Sequence, residues 1–346
     1  MLVTQLILGQ TTRKYSNEFL NIGVDAAAFG MSKAVVATSD DVNSIYWNPA
    51  GLTAVKNYEG AIMHAEYFAG IAKYDYISFA MPIDDKSAVG ISLIRFGVDD
   101  ILNTTELIDN EGNIDYNRIS LFSAADYAFN IAYARELNIE GLTIGSNAKI
   151  IRRIIGDFAT SWGFGIDVGL QYERNDWKFG LMLRDITTTF NAWSIDEGEF
   201  EKIKNAIPGQ NQELPESTEI TLPKAQFGVA KQFKISKDFN LLTELDLNLR
   251  FTKTNDIISS DIVSIDPAFG FQVDYMDIVF LRGGIGNLQN ELQFDASKEL
   301  VFQPNFGIGF KYKGIQIDYA LTNIASIGNA LYSNVFSIKL EFNYFR

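Results

Sequence analysis

The sequence predicts an all-β fold: a transmembrane antiparallel up-and-down β-barrel of 14 strands. Three observations predict it. Bulky apolar residues alternate with small or polar ones in strand after strand, as in Phe336, Ile338, Leu340, Phe342 and Tyr344 against Ser337, Lys339, Glu341 and Asn343. That two-residue period suits a wall between lipid and a hydrated interior. The connectors alternate between tight and long, and the apolar inventory is aromatic, with 26 Phe and 15 Tyr among 346 residues.

No run of eighteen uncharged apolar residues occurs, so a helical span is excluded and a bilayer could be crossed only by strands. The 27 Gly against 7 Pro fit a strand-rich chain. Without cysteine, neither a disulfide framework nor a thiolate metal site can form. A formal net charge of -14 argues against nucleic acid as a partner, because phosphate binding needs a positive field.

The first nine residues, Met1 to Gly9, are apolar and lack a basic n-region; they read as the remnant of an export signal processed near Gly9 and Gln10. Residues 10–57 form a distinct segment. In it Ala26 to Gly30 is rich in small residues, Val35 to Thr38 is strand-like, Ser39-Asp40-Asp41 suits a helix cap, and Asn48-Pro49-Ala50-Gly51 suits a turn.

From residue 58 the alternation marks strands at 59–68, 71–82, 87–97, 125–135, 141–152, 160–173, 176–185, 219–233, 239–252, 262–275, 277–287, 303–312, 314–323 and 333–346. Asp84-Asp85-Lys86, Arg174-Asn175, Met276 and Lys313-Gly314 are hairpin-tight turns on one side. Val98 to Ala124, Ile186 to Thr218 and Asn287 to Phe302 are long polar connectors on the other, with the short Phe68 to Ile71 as the exception. Short periplasmic turns opposite longer outer loops are the pattern of a membrane barrel, whereas Greek-key crossings do not sort loops this way.

One face of each strand is oily and the other carries glycines and charges of both signs. Trp162, Phe164, Ile166, Val168, Leu170 and Tyr172 oppose Gly163, Gly165, Asp167, Gly169, Gln171 and Glu173. Asp167, Glu244, Asp246, Arg250, Asp318 and Glu341 make up the expected lumen polar network, with Glu244, Asp246 and Arg250 as an ion-pair ladder along one strand. In Lys73 to Pro82 the apolar positions drift between faces, as expected beside an occupied lumen. Mid-strand Gly163, Gly165, Gly169, Gly307 and Gly309 are expected to clear space for whatever occupies the lumen or for ion-pair partners.

The segment Ala34 to Leu52, ending in Asn48-Pro49-Ala50-Gly51, resembles the N-terminal signature of the FadL-like outer-membrane superfamily, and more closely its PorV/PorQ family. Leu222 to Phe233 resembles that family's proline-led strand, and Gly307 to Leu321 its closing hairpin. The resemblance implies an outer-membrane barrel in the Gram-negative envelope with residues 10–57 folded into its lumen as an N-terminal hatch segment, accessory to type IX protein secretion, whose partners are membrane lipids, a secretion translocon and secreted cargo. For classical FadL members it implies instead passage of long-chain fatty acids or other hydrophobic compounds.

Chemistry points away from an enzyme. His64 is the one histidine, no G-x-S-x-G elbow occurs, and no catalytic residue, cofactor or metal is expected. Trp193, Phe200, Pro208 and Pro215 lie in a long acidic connector expected to bind a partner.

Overall fold

The computed structural model describes residues 16–108, 112–206, 217–292, 297–322 and 333–345. Its strands are β1 (Glu59–Tyr67), β2 (Ala72–Asp84), β3 (Ser87–Asn103), β4 (Ser120–Glu136), β5 (Leu142–Ile155), β6 (Ala159–Arg174), β7 (Trp177–Arg184), β8 (Thr189–Ile195), β9 (Thr218–Thr221), β10 (Lys224–Lys234), β11 (Phe239–Arg250), β12 (Ile258–Ser259), β13 (Ser264–Tyr275), β14 (Val279–Leu292), β15 (Lys298–Tyr312), β16 (Ile315–Thr322) and β17 (Ser333–Glu341). They make 14 passes. β7 with β8 is one interrupted pass, β9 with β10 another, and the two-residue β12 sits in an outer connector.

Every neighbouring pair is antiparallel, and β17 pairs back onto β1 from Glu59↔Glu341 to Glu66↔Asn334. The ring is closed. Closure matters because a sheet edge in hydrocarbon would leave its N–H and C=O groups without partners.

Tight turns on the periplasmic side depend on left-handed backbone: Met276 and Asp277 both have φ of 53°, and Lys313 and Gly314 have 47° and 78°. Two successive positive φ values match the right-handed twist of the flanking strands. On the other side the expected loops are shorter than the sequence suggested, because pairing continues upward. β3 runs on to Asn103, β4 starts at Ser120, and Gln289 to Leu292 still pair with Lys298 to Val301. There the alternation fades, since both faces meet water and nothing forces one of them to be oily. The final strand also stops early, at Glu341. Phe342–Phe345 form a 3₁₀ turn in which the Phe342 amide donates to Tyr58 O at 2.9 Å.

The faces follow the sequence pattern. Ile77 on β2 and Phe306 on β15 are 54% and 58% exposed, a burden that only lipid relieves. Trp177, Phe239, Tyr275 and Tyr312 stand outward at the periplasmic strand ends, as an interfacial aromatic girdle does. In β2 the alternation is regular after all: Tyr74 and Tyr76 point inward and are buried, while Lys73 and Asp75 turn outward. His64 is outward too, its Nδ1 2.7 Å from Asp75 Oδ1.

Ile77 lies seven positions above the periplasmic end of β2, near mid-bilayer, and Leu340 lies one position from the end of β17. Ile77→Arg should cost about 2–4 kcal/mol in reversible unfolding from lipid vesicles, and Leu340→Arg about 0–1 kcal/mol. Equal losses would refute this placement of the oily band.

Candidate functional site

Residues 16–57 run inside the ring, touching strands around its whole circumference, and are buried for most of their length. The segment contains a 3₁₀ turn (Glu18–Asn21), α1 (Ala26–Gly30), α2 (Ser44–Trp47) and a second 3₁₀ turn (Pro49–Ala54). Val35 to Thr38, strand-like in sequence, is a turn. Its backbone donors go to side chains on the wall. Asp246 Oδ2 accepts from the Val35 and Val36 amides at 3.0 and 3.2 Å, Glu244 Oε1 accepts from the Ala37 amide at 2.6 Å, and Thr38 Oγ1 donates to Glu244.

The expected ladder is therefore corrected. Glu244 and Asp246 are fully buried and spend their oxygens on the inner segment, while Arg250 pairs with Asp256 at 3.0 Å and reaches Asp266 at 4.0 Å. The other charged residues singled out in sequence sit in separate clusters. Asp167 and Asp185 hold Lys149 at 2.8 and 2.6 Å, Asp318 holds Arg282 at 2.6 Å, and Glu341 holds Lys311 at 2.7 Å. Lys149 lies where Gly165 has no side chain, and Asp185 stands at the break between β7 and β8 with φ of 56°. Pairing of this completeness is what makes buried charge tolerable.

Asn48 is the keystone of the turn motif. Buried completely, its Nδ2 donates to Val36 O at 2.8 Å and to Leu170 O at 3.1 Å, and its Oδ1 accepts from the Ala50 amide at 3.3 Å. Gln171 adds bonds to Val36 O at 3.2 Å and Ser39 O at 2.9 Å. Pro49 opens the second 3₁₀ turn, where its missing N–H costs nothing. The wall makes room: a Cβ on Gly169 would strike Asn48 Oδ1, and one on Gly145 would strike the Pro49 carbonyl carbon. Gly51 meets Ser39 O just as closely.

At the other end Arg184 donates to Tyr46 O at 2.9 Å and covers the Tyr46 ring at 4.6 Å, while the Tyr46 hydroxyl donates to Leu20 O. Asp25 caps α1 with φ of 70° and accepts from Ser337 Oγ at 2.9 Å. Burial, with Asp318 and Asp41 nearby, raises its pKa to about 7, against the opposing pull of Lys339 and Ser337.

The segment separates two cavities. The outer one, about 460 Å³, is lined by Lys33, Arg184, Lys224 and Arg250 with Glu18 and Asp266. The periplasmic one, about 410 Å³, is lined by Asp25, Asp40, Asp41, Asp274 and Asp277 among others. Among the described residues no three His, Cys, Asp or Glu side chains converge as a metal site.

The profile of the family described as "Type IX secretion system protein PorV" matches residues 9–245, about two thirds of the chain and including the segment with its seat. The chain belongs to the PorV family. Curated proteins gave no match. Among solved structures, the Pseudomonas putida toluene transporter TodX is 14% identical with a TM-score of 0.55, over 92% of this chain and 99% of that one. The Ralstonia pickettii toluene transporter TbuX is 10% identical with a TM-score of 0.52, over 92% and 98%. A Pseudomonas aeruginosa FadL homologue is 11% identical with a TM-score of 0.50, over 92% and 98%. At these identities the likeness is one of fold, and with the PorV family it establishes an outer-membrane β-barrel.

In this PorV-family barrel Trp193 lies on β8, half-buried beneath the Arg153 guanidinium 5.1 Å away, rather than at a loop tip. Phe200 is half-buried on the helix α3 (Glu197–Ala206); Pro208 and Pro215 lie outside the described residues. Sequence reasoning missed Lys33, Lys149, Arg184 and Gln171. The last two share the glycine-bearing inner face of their strands, which was the available signal.

Gly169→Val should displace Asn48 and cost about 1–3 kcal/mol by overpacking; unaltered proteolysis of the inner segment and unaltered stability would contradict the seat. Because Asp25 holds its proton in the folded state up to about pH 7 and an unfolded aspartate loses it near 4, its contribution to stability falls as pH rises between those values. Asp25→Asn keeps the cap and tolerates the positive φ, so its thermal midpoint should gain on the parent across that window. Parallel curves would refute the raised pKa.

Proposed function

We propose that this PorV-family barrel is an accessory of type IX protein secretion that binds cargo or the translocon through its outer loops and rim, with residues 10–57 as a hatch. Membrane lipids surround its wall and a secretion complex is its partner. The observation that carries the reading, within the family, is the occupied lumen. A conduit for hydrophobic solutes needs a continuous apolar path, whereas in both cavities here charged and carboxamide side chains interrupt the apolar lining. Whether the chain acts as a PorV-type carrier or in the PorQ-type attachment branch, the barrel's work is recognition rather than conduction.

Capture of the tagged chain from detergent-solubilised outer membranes should bring down a large outer-membrane assembly or signal-bearing cargo. Recovery of bound lipid alone would contradict the proposal and favour a FadL-like transporter. Removing residues 10–57 should leave a barrel that inserts but conducts small ions across a planar bilayer; an unaltered conductance would mean the segment is no plug.

A further inference from the structure

The outer cavity has the opposite charge balance to the chain. Lys and Arg number 29 against 43 Asp and Glu overall, yet four cations and two carboxylates line this space. Arg250 is paired with Asp256 and Asp266. Among the described residues, Lys33, Arg184 and Lys224 have no carboxylate within 4.0 Å. Instead Lys224 Nζ donates to Asn21 Oδ1 at 2.9 Å, Lys33 Nζ donates to Asn21 O at 3.4 Å, and Arg184 bonds Gln226 Oε1 at 2.8 Å and Tyr46 O. One asparagine thus holds both ammonium groups on neutral oxygens. Burial lowers the Lys33 pKa to about 8, against the opposing pull of Asp266, which lies beyond ion-pair distance.

The rest of the lining is rich in carboxamides. Gln226, Asn248, Gln303 and Asn305 face the same space. Asn305 is buried; its Nδ2 donates to Ser32 Oγ at 2.7 Å, while its Oδ1 has no hydrogen-bond partner. A buried carbonyl oxygen without a donor is costly unless a ligand N–H supplies one. Side-chain amides around an anion site match an extended peptide, whose backbone offers alternating donors and acceptors, and do not match an acyl chain.

We infer that the outer cavity binds an extended polypeptide by a carboxylate, which seats between Lys33 and Lys224 in place of Asn21 while Arg184 and the carboxamides hold the backbone. The inference rests on the secretion reading and names the chemistry of what its outer face would grip. The carboxylate is either a chain terminus or an acidic side chain.

The test uses the full chain in detergent micelles and fluorescence polarisation of labelled serine–valine octapeptides: one with a free C-terminal carboxylate, one C-terminally amidated, and one amidated with a central aspartate. At least one carboxylate-bearing peptide should bind about tenfold more tightly than the neutral amide, and which one does so identifies the source. Lys33→Gln with Lys224→Gln should abolish the preference; Lys253→Gln, on an exposed outer connector, should leave it intact. Equal binding of all three peptides to the parent overturns the inference without recourse to any variant, as does tighter binding of dodecanoate than of any peptide. Loss of the carboxylate preference with capture of the secretion assembly intact sinks the anion site alone. A retained preference without capture sinks the secretion reading and leaves the site.

Discussion

Inside a bilayer no backbone polar group can turn to water, and this constraint orders the whole molecule. It demands that the wall close, which the β17 to β1 ladder achieves. It then applies again to the irregular chain inside the wall. Residues 35–38 have no ladder to join, so the amides of Val35, Val36 and Ala37 and the Thr38 hydroxyl are taken by Glu244 and Asp246, and the Val36 carbonyl by Asn48 and Gln171. The two carboxyl groups accept from oriented donors of the inner segment, and among the described residues no cation lies within ion-pair distance of them. Barrel and inner segment therefore complete one another's hydrogen bonding.

The wall glycines belong to the same logic. At Gly145 the Pro49–Ala50 backbone, and at Gly169 the Asn48 side chain, comes so close that no Cβ fits. On the lumen side of the break between β7 and β8, Gly165 leaves the space into which Lys149 brings its charge to Asp167 and Asp185. Small residues thus set how tightly the segment seats, and charged ones set where it is anchored. The same packing divides the interior into an outer cavity rich in unpaired cations and a periplasmic one rich in aspartates.

Much of this was legible in the sequence, for a physical reason. Between lipid and lumen the two-residue period is enforced at every step, so strand number and face assignment follow from patterns such as Trp162 to Tyr172. Where both sides are wet the enforcement lapses, and the upper reaches of β3, β4, β14 and β15 carry no strand pattern in the sequence. Strand periodicity tells which way Glu244 points and not what it meets across the lumen. Arg250 shares that face, yet it stands about 13 Å along the strand from Asp246 at ~3.3 Å per residue, too far to pair. Asn48-Pro49-Ala50-Gly51 stood out as a turn, but its role as a clamp on Val36 and Leu170 depends on tertiary approach. Lys33 gave no local sign of its place in the outer cavity.

The chain has no cysteine, so single cysteines can carry spin labels at will along β6. Paramagnetic accessibility in lipid vesicles tests the central claim most directly, that oily side chains meet lipid while the inner face is packed against the chain's own N-terminal segment. Labels at Phe164, Ile166 and Val168 should collide with dissolved oxygen, and labels at the inward positions Ser161 and Gln171, which already carry side chains, should be shielded from both oxygen and a water-soluble nickel complex. Nickel access at the outward positions, or free access at the inward ones, would contradict the account.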